Sequence, residues 1–378
     1  MTPVTRPRRI AVVATHAITV KALMRGQLRH LAAAEWDVVV VTSPDPDLAE
    51  FARAEGVRVV EIPMVRTVAP VRDLLALTRF VRLFRQLRPD VVSAGTPKGG
   101  LLGMVAAWLA RVPVRVYILR GLRLETITGV LGRIMRLTER MASACSTHVL
   151  SVSRSLQVLY VDLGLAPESK IHVLGAGSSN GVDTARFSPA ARSPRTPTIG
   201  YVGRLTRDKG VADLWAAFKL VCEQVAGARL LVVGDFESAD PVPEGLRREL
   251  LADERVTITG FVSDPAPLYK EMSVLVLPTR REGLPNAPLE AAASGVPVVA
   301  YAATGTVDAV DDGVTGALVG QGQVEGLAAA VATYLEDADL AQAHGDAGRA
   351  RVATLFDSQL VWNRLERFYR HGCEGGAR

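Results

Sequence analysis

The sequence predicts an α/β protein with two domains, each built around a parallel β-sheet that helices cover on both faces. The chain of 378 residues is too long for one ordinary hydrophobic core and fits two domains of roughly 150–200 residues each. Short apolar runs typical of buried strands alternate with segments of helical periodicity along almost the whole chain. Between the halves, residues 188–197 (SPAARSPRTP) are rich in Pro, Ser and Arg, which favours an interdomain linker.

The first half, residues 1–187, forms the predicted N-terminal domain. Pro89 ends an arginine-rich helix there, because proline cannot donate the next helical hydrogen bond. The predicted strands are Ile10–Ala14, Val38–Thr42, Val57–Ile62, a run that begins at Val91, Val114–Leu119 and His148–Val152. The predicted helices are Leu23–Ala34, Val71–Leu87, Gly99–Ala110 and Ile127–Ala142.

The second half repeats this alternation over residues 198–356, the predicted C-terminal domain. Residues 357–378 are expected to form a terminal helix that packs back toward the N-terminal domain. The predicted strands are Thr198–Val202, Leu230–Val233, Val256–Thr259, Val274–Leu277 and Val296–Ala300. The predicted helices are Val211–Val225, Leu246–Leu251, Asn286–Ala293, Val324–Leu335, Leu340–Leu355 and Ser358–Tyr369.

Composition excludes several classes of protein. An apolar content of 48% is ample for a packed core and excludes a disordered or fibrous chain. The three cysteines have neither metal nor disulfide spacing, which suits a reducing cytoplasm. The basic amino terminus is followed by an apolar run that ends by Thr15, which favours a strand over a signal peptide. The apolar stretch Leu101–Ala110 is too short to span a bilayer.

Charge is distributed unevenly between the halves. Residues 1–190 contain 25 Lys and Arg against 14 Asp and Glu, whereas the remainder contains 19 against 25. A basic first half indicates an anionic partner such as a phosphate, a nucleic acid or a membrane surface. A solvated, arginine-rich surface would give the same asymmetry.

The segment 203–210 connects the predicted strand Thr198–Val202 to the next helix. Gly203 allows a tight turn, and the helix amino terminus presents free N–H groups and the positive end of the helix dipole. Arg204 and Lys209 add two cations, of which the arginine can bind phosphate oxygens bidentately. Together these features predict a diphosphate site, although exposed cations on a surface turn would show the same pattern.

Two glutamates follow the predicted strand Val274–Leu277. Glu282 lies on the loop and Glu290 about one turn into the next helix, so we expect both to face the carboxyl edge of the sheet. A carboxylate is the natural acceptor for the vicinal hydroxyls of a ribose or a hexose. Since Glu290 is embedded in an otherwise apolar helix, its charge needs a partner or a function.

The spacing of Glu282 and Glu290, with seven residues between them, resembles the E-x7-E motif of glycosyltransferase family 4. The segment 203–210, with its Gly-Arg-Leu and Lys-Gly pairs, is similar to that family as well. So are Asn180-Gly181-Val182-Asp183 followed by Phe187, and Gly260-Phe261-Val262. The resemblance extends over about residues 8–370. It implies a retaining enzyme with the GT-B fold, in which two Rossmann-like parallel-sheet domains face each other across a cleft.

The resemblance also implies roles by position. Arg204 and Lys209 would bind the donor diphosphate and stabilise the leaving nucleotide, so with Glu282 they are the predicted catalytic residues. Glu282 would contact hydroxyls of the donor sugar, and Glu290 would bind the ribose. The rest of the implied donor site comprises Gly203, Phe261, Val262, Gly283, Leu284 and Asn286. No metal or other cofactor is expected beside the UDP-sugar. A D-x-D pair, Asp45 and Asp47, has metal-binding spacing, but its position after an early strand favours a plain turn.

The first domain departs from the wider family. Many members have two glycines near the first helix and a histidine after the strand at Val114–Leu119, whereas the loops here contain His16 and Arg120. The segments 96–100 and 117–123 resemble a subset that builds bacterial surface polysaccharides or lipid-linked oligosaccharides, often from UDP-N-acetylhexosamines. The predicted acceptor-binding residues are His16, Lys98, Gly99, Arg120 and Arg123.

The acceptor prediction also follows from charge. From Lys98 to Arg154 the chain carries nine basic side chains and only two acids. Gly99 begins a helix, so its N–H could receive a second phosphate. A polyprenyl-diphosphate-linked sugar at the inner leaflet is an anion that this domain and the basic helix 71–88 would attract. The sequence thus predicts a cytoplasmic protein, which such an acceptor would bring to the cytoplasmic face of the membrane. A soluble small-molecule acceptor is the alternative.

The sequence therefore predicts transfer of a hexose, by the resemblance an N-acetylhexosamine, from a UDP-sugar to an acceptor hydroxyl. Two other classes stay open. A UDP-sugar 2-epimerase shares the fold but would need acid and base residues in both domains, which the spacing of Glu282 and Glu290 does not indicate. A nucleic-acid-binding protein suits the basic half, but aromatic residues are sparse and no base-stacking platform is evident, so no nucleic-acid partner is expected.

Overall fold

The computed structural model describes residues 6–65, 69–127, 129–189, 196–238 and 240–375. The chain divides into two compact units. The N-terminal unit comprises residues 1–180 together with 358–378, and the C-terminal unit comprises residues 181–357. Most of the predicted linker 188–197 lies outside the described residues.

The N-terminal unit contains a seven-stranded sheet in the order β3-β2-β1-β4-β5-β6-β7, in which neighbouring strands run parallel. Its strands are β1 (Arg9–Val13), β2 (Asp37–Thr42), β3 (Arg58–Glu61), β4 (Val91–Gly95), β5 (Val114–Leu119), β6 (His148–Ser151) and β7 (Ile171–His172). Its helices are α1 (Ala17–Leu23), α2 (Gln27–Ala33), α3 (Leu48–Glu55), α4 (Pro70–Leu87), α5 (Pro97–Leu109), α6 (Gly129–Cys145), α7 (Arg154–Asp162) and the terminal helix α15 (Ser358–Gly375).

Helices cover both faces of this sheet because its strands are apolar on both sides. On one face α5 packs closely, since Gly100 lies against Tyr117 and Gly103 against Ala94. On the opposite face α15 packs against α2 and β5. There the Tyr369 hydroxyl lies 2.8 Å from Ser93 Oγ, within hydrogen-bonding distance. The last helix of the chain is therefore part of the N-terminal unit.

The C-terminal unit contains a six-stranded parallel sheet in the order β10-β9-β8-β11-β12-β13. Helices α8 and α13 pack together, as do α11 and α14. Its strands are β8 (Thr198–Val202), β9 (Arg229–Val233), β10 (Val256–Ile258), β11 (Val274–Leu277), β12 (Val298–Tyr301) and β13 (Gly316–Val319). Its helices are α8 (Val211–Gln224), α9 (Glu244–Ala252), α10 (Ala266–Tyr269), α11 (Asn286–Ala293), α12 (Thr306–Ala309), α13 (Val324–Glu336) and α14 (Ala338–Leu355).

The predicted two parallel-sheet α/β architecture is confirmed, and the differences are local. The predicted helix Leu23–Ala34 corresponds to α2, which begins only at Gln27, and Leu23 is the last residue of a separate helix, α1; the chain is broken between them at Gly26. Gly26 has φ +79°, and a Cβ there would lie 2.5 Å from the Trp362 ring of α15, so the break fits the terminal helix against α2. The sequence pattern does not predict α1, α3, α7, α10, α12, β7 and β13, because most of them are short and lack a long apolar run.

Candidate functional site

The C-terminal sheet has a point where the direction of its connections reverses, between the neighbouring strands β8 and β11. The loops 203–210 and 278–285 follow the carboxyl ends of these two strands. In open α/β sheets, ligands bind at the carboxyl edge where the strand order reverses. The predicted donor residues therefore come from the loops that the topology brings together at this place.

Close backbone packing joins the two loops. Gly210 has φ +72° and is the residue before α8. A Cβ at this position would lie 1.9 Å from the carbonyl oxygen of Pro278, so no other residue fits without movement of the backbone. The loop after β8 is thereby held against the loop after β11.

The centre of the site is an ion pair between Lys209 and Glu282. Their side chains are only 14% and 20% exposed, so the pair is largely shielded from water. The Glu282 N–H also donates to the carbonyl of Thr304 at 3.0 Å, which fixes the backbone that carries the carboxylate. The structure thus brings together two of the three predicted catalytic residues.

A second ion pair, between Arg281 and Asp208, joins the same two loops. Arg281 Nη2 lies 2.7 Å from Asp208 Oδ2, and the Thr206 hydroxyl donates to Asp208 Oδ1 at 2.6 Å. Burial by itself raises the pKa of Asp208. The hydrogen bond from Thr206 and the charges of Lys209 and Arg281 outweigh burial, so the pKa is lower than usual. Asp208 is therefore a fixed negative charge that orients the cations of both loops.

Arg204, the third predicted catalytic residue, is the most accessible cation of this group. Its Nη1 lies 2.7 Å from Glu237 Oε2, and its side chain is 51% exposed. The Tyr201 hydroxyl donates to the Arg204 carbonyl at 2.8 Å and holds the backbone in place. Exposed ion pairs contribute little to stability, so the guanidinium can exchange Glu237 for a phosphate at small cost.

Glu290 belongs to a neighbouring cluster. Its Oε2 accepts a hydrogen bond of 2.8 Å from the hydroxyl of Tyr269, whose ring packs edge-on against Phe187. Burial raises the pKa of Glu290, and the hydrogen bond from Tyr269 and the charge of Arg186 offset this only in part. Tyr269 is thus the partner that the carboxyl group of Glu290 needs in an otherwise apolar helix.

The other predicted donor residues lie on the same loops or beside them. Phe261 is 74% exposed, and its N–H donates to Asp235 Oδ2 at 2.9 Å, with Val262 next to it. Leu284 is buried, and Asn286 begins α11, whose amino terminus has no side-chain cap among the described residues. The remaining predicted residues are Gly203, directly after β8, and Gly283, directly after Glu282.

The predicted acceptor residues of the N-terminal unit have different environments. Lys98 forms an ion pair with Asp73 at 2.7 Å, and the Gly99 N–H donates to Thr15 Oγ1 at 2.9 Å. His16 is the residue before α1, and Arg123 is exposed. Arg120 follows β5, and two of its nitrogens are buried. The N–H of Gly99 is thus already engaged within the fold.

Several residues of the site were missed by sequence reasoning. Glu237 and Tyr269 bind the predicted residues Arg204 and Glu290, and Asp208 binds Arg281 beside Glu282. Each of the three comes from a position whose pattern indicates only a polar turn or a core aromatic. Asp208 lies inside the predicted phosphate loop, so its position could have been noticed. Asp45 and Asp47 both bind Lys21, at 2.8 and 3.0 Å, which gives the D-x-D pair a structural partner.

Comparison with known proteins decides the family. Residues 20–177 match the model described as glycosyl transferase 4-like domain, and residues 196–337 match the model described as glycosyl transferases group 1. The chain is also 37% identical over 366 residues to the capsular polysaccharide biosynthesis glycosyltransferase CapM of Staphylococcus aureus, covering 94% of this chain and 96% of that protein. The chain belongs to glycosyltransferase family 4.

Other similar proteins and solved structures are consistent with this family. The chain is 26% identical over 285 residues to the UDP-Gal:alpha-D-GlcNAc-diphosphoundecaprenol alpha-1,3-galactosyltransferase of Escherichia coli, over 70% of this chain and 71% of that one. Among solved structures, it superposes on a sucrose-phosphate synthase from Thermosynechococcus elongatus with a TM-score of 0.79 at 22% identity, covering 96% and 98% of the two chains. It superposes on Anabaena HepE in complex with UDP and glucose with a TM-score of 0.78 at 18% identity, covering 97% and 100%.

These findings confirm the predicted family, the GT-B fold with its two parallel-sheet domains, and the prediction of a glycosyltransferase. Across the described parts of the chain, no helix is long and apolar enough to cross a membrane. The predicted roles of individual residues, and the expectation that no metal takes part, stay predictions.

Proposed function

We propose that this glycosyltransferase moves a hexose from a UDP-sugar to a hydroxyl of a polyprenyl-diphosphate-linked sugar, with retention of configuration, during assembly of a surface polysaccharide. The observation that carries the proposal is the shielded Lys209–Glu282 pair at the reversal point of the C-terminal sheet, with Arg204 on the same loop. The relatives support the substrates. CapM takes its name from capsular polysaccharide, the E. coli enzyme from UDP-galactose and a diphosphoundecaprenol, and HepE binds UDP-glucose.

The proposed chemistry exchanges one bond for another. A bond forms between the acceptor oxygen and the anomeric carbon, and the bond from that carbon to the UDP diphosphate oxygen breaks. Negative charge then develops on the departing phosphate, where Lys209 and Arg204 stabilise it. The departing phosphate oxygen receives the proton of the acceptor hydroxyl, so UDP leaves carrying it.

In this proposal the carboxylates of Glu282 and Glu290 bind the sugars of the donor rather than its charged diphosphate. Glu282 accepts hydrogen bonds from hydroxyls of the donor hexose, while its contact with Lys209 keeps the ammonium beside the diphosphate. Glu290 accepts from the ribose, and its hydrogen bond with Tyr269 fixes the carboxylate orientation. Because a carboxylate repels phosphate, the cations bind the diphosphate of the donor, and the two carboxylates bind the sugars on either side of it.

We infer that three helices of the N-terminal unit form a membrane surface, which supports the proposal of a lipid-linked acceptor. Helix α5 packs against both α4 and α6, so the three helices lie side by side. They expose large apolar side chains, among them Val71, Leu74, Trp108, Val130, Leu131, Ile134 and Leu137. Exposed arginines accompany them, namely Arg72, Arg79, Arg82, Arg85, Arg133 and Arg140. Apolar and cationic groups on one helical surface are typical of peripheral binding to an anionic leaflet.

The first experiment measures thermal stabilisation by a panel of UDP- and GDP-sugars, because a specific donor raises the melting temperature by mass action. The best donor is then incubated with a polyprenyl-diphosphate-linked sugar, and the anomeric configuration of the product is determined by NMR. Stabilisation by GDP-sugars alone would remove the UDP assignment. Transfer to soluble acceptors only would favour the small-molecule alternative. A new UDP-sugar formed without any acceptor would indicate the epimerase.

Vesicle co-sedimentation tests the membrane surface separately. We expect binding to vesicles that contain phosphatidylglycerol, weak binding to phosphatidylcholine alone, and a clear loss in the Leu131→Glu, Leu137→Glu double variant of α6. Leu251→Glu is the matched control, since Leu251 is 59% exposed on α9 of the C-terminal unit. Equal binding by the double variant and the control would contradict the assignment of this surface.

A further inference from the structure

The N-terminal unit contains a largely enclosed cavity of about 30 Å³ on the face of the sheet that α15 covers. Arg120 reaches it from the end of β5, and Tyr369 and Leu365 of α15 close it from above. The loop after β7 contributes Ser178 and Ser179 to its wall. A volume of this size holds a few water molecules or one small ion, at about 10–15 Å³ for each water.

Among the described residues, the charge in this cavity has no carboxylate counterion. The Nε and Nη1 atoms of Arg120 are buried and have no hydrogen-bond partner among the described residues, although part of the residue reaches the surface. No Asp or Glu lines the cavity in the described part of the chain. Burial lowers the pKa of Arg120 to about 10, so the guanidinium is still a cation at neutral pH. An isolated buried charge is costly unless it is paired.

Hydrogen-bond donors accompany the cation. The Ser179 hydroxyl is buried without a partner among the described residues, so it is free to bond to a ligand. The Tyr369 hydroxyl lies 2.8 Å from Ser93 Oγ, and burial raises the pKa of Tyr369 to about 12, so the phenol is neutral. Gln27, through its amide nitrogen, is tied to the Ser179 carbonyl at 3.2 Å, which holds that loop in place. A cation beside a free hydroxyl, with no carboxylate, is complementary to an oxyanion.

We propose that Arg120 and Ser179 form a binding site for a small oxyanion of the phosphate class inside the N-terminal unit. The anion supplies the missing counterion and accepts from both unpartnered groups. It is either free in solution or the terminal phosphate of a larger molecule. The site does not depend on the proposed transfer reaction, because every group that forms it belongs to residues 1–180 or 358–378.

The test uses the full chain in a Lys209→Met background, so that phosphate bound at the donor loop does not contribute. Melting temperatures are recorded against inorganic phosphate at constant ionic strength. Above the dissociation constant, each tenfold rise in phosphate should raise the melting temperature by roughly 3–6 °C. Adding Arg120→Met should abolish this rise. Without phosphate, the Arg120→Met protein should melt above its parent, since it no longer buries an unpaired cation.

Arg123→Met is the matched control, because Arg123 is an exposed arginine of the same loop, and it should respond to phosphate as the parent does. The site is overturned if phosphate fails to stabilise the parent, or if Arg120→Met retains the full response.

Pyrophosphate and geranyl diphosphate then distinguish the two sources of the anion. Equal stabilisation by both indicates a free anion, and stronger stabilisation by geranyl diphosphate than by pyrophosphate indicates a lipid-borne phosphate; either result supports the site if Arg120→Met removes it. Wild-type and Arg120→Met proteins should be stabilised equally by the UDP-sugar, which separates this inference from the proposed function.

Discussion

The two sheets reverse their connections in the same way, but different side chains meet at the two reversal points. They are charged in the C-terminal unit and neutral hydroxyls in the N-terminal unit. In the C-terminal unit, the loops after β8 and β11 bring together ion pairs, with Lys209 against Glu282 at the centre. In the N-terminal unit, the loops after β1 and β4 bring together two neutral hydroxyls, with Thr15 Oγ1 2.8 Å from Thr96 Oγ1. Topology therefore provides a binding position in both units, and side-chain charge decides whether that position suits a diphosphate.

The lysine beside the reversal point of the N-terminal unit is paired within the fold. Lys98 follows Thr96 by two residues and is paired with Asp73 of α4, and the Gly99 N–H is bonded to Thr15. Arg120 follows β5, has two buried nitrogens without a partner among the described residues, and lines the cavity that α15 covers. The excess positive charge of the first half is therefore not concentrated at the reversal point.

The largest effect is expected from the central ion pair of the C-terminal unit. Lys209→Met and Glu282→Gln should each lower kcat for transfer roughly 10²–10³-fold, because each removes a contact that strengthens as charge develops. Transfer is measured with the donor found by the stabilisation screen. The control is Arg207→Gln, an exposed cation two residues from Lys209, which should keep near-normal turnover. Normal turnover in both site variants would remove the catalytic assignment.

Close packing of the two C-terminal loops gives the next largest effect. Gly210→Ala should lower the free energy of unfolding by about 3 kcal/mol or more, because its Cβ meets the Pro278 carbonyl in addition to the positive φ. Gly227→Ala is the control, since Gly227 has φ +75° with nothing within 4 Å, and should lose about 1 kcal/mol. Urea unfolding of both variants measures the difference. Equal losses would show that the loops move apart freely.

Removing one hydroxyl of the Thr15–Thr96 pair in the N-terminal unit should lower stability without changing donor binding. Thr15→Val removes the acceptor of the buried Gly99 N–H and should lower the free energy of unfolding by about 1–3 kcal/mol. Thr78→Val, at an exposed position on α4, should change it by less than about 0.5 kcal/mol. Binding of UDP, followed by calorimetry, should be unchanged in both. Weaker UDP binding by Thr15→Val would break the contrast between the two units.

The smallest effect concerns Glu290 and pH. Because its pKa is raised in the folded state, the native protein binds this proton more tightly than the unfolded chain. Its contribution to stability is therefore present below the ordinary value of 4.5 and is lost as pH rises through the raised value. Unfolding of wild-type and Glu290→Gln proteins between pH 4 and 7 should show the variant gaining relative stability upward from about pH 4.5, at no more than about 1.4 kcal/mol per pH unit. The exposed Glu325→Gln control should show less change. A difference that does not vary with pH would contradict the raised pKa.

Much of the C-terminal site could be predicted because its residues follow strand ends. Arg204 and Glu282 lie on the loops that follow predicted strands, and parallel strands place such loops at one edge of the sheet. The contact partners could not be predicted. Glu237 and Tyr269 come from loops and short helices distant in sequence, and nothing in the local pattern shows that one meets Arg204 and the other meets Glu290.

By itself, the sequence determined the two parallel sheets, the loops that carry the donor residues, and the family, because apolar periodicity and motif spacing are local properties of the chain. Only the tertiary structure decided which charges are paired and which are buried alone. Arg120 and Arg123 are equivalent in the sequence, yet one is exposed and the other has nitrogens enclosed under α15, a helix that begins more than two hundred residues later. Charge energetics depend on the groups that surround a side chain in space, and those groups are assembled only when the chain folds.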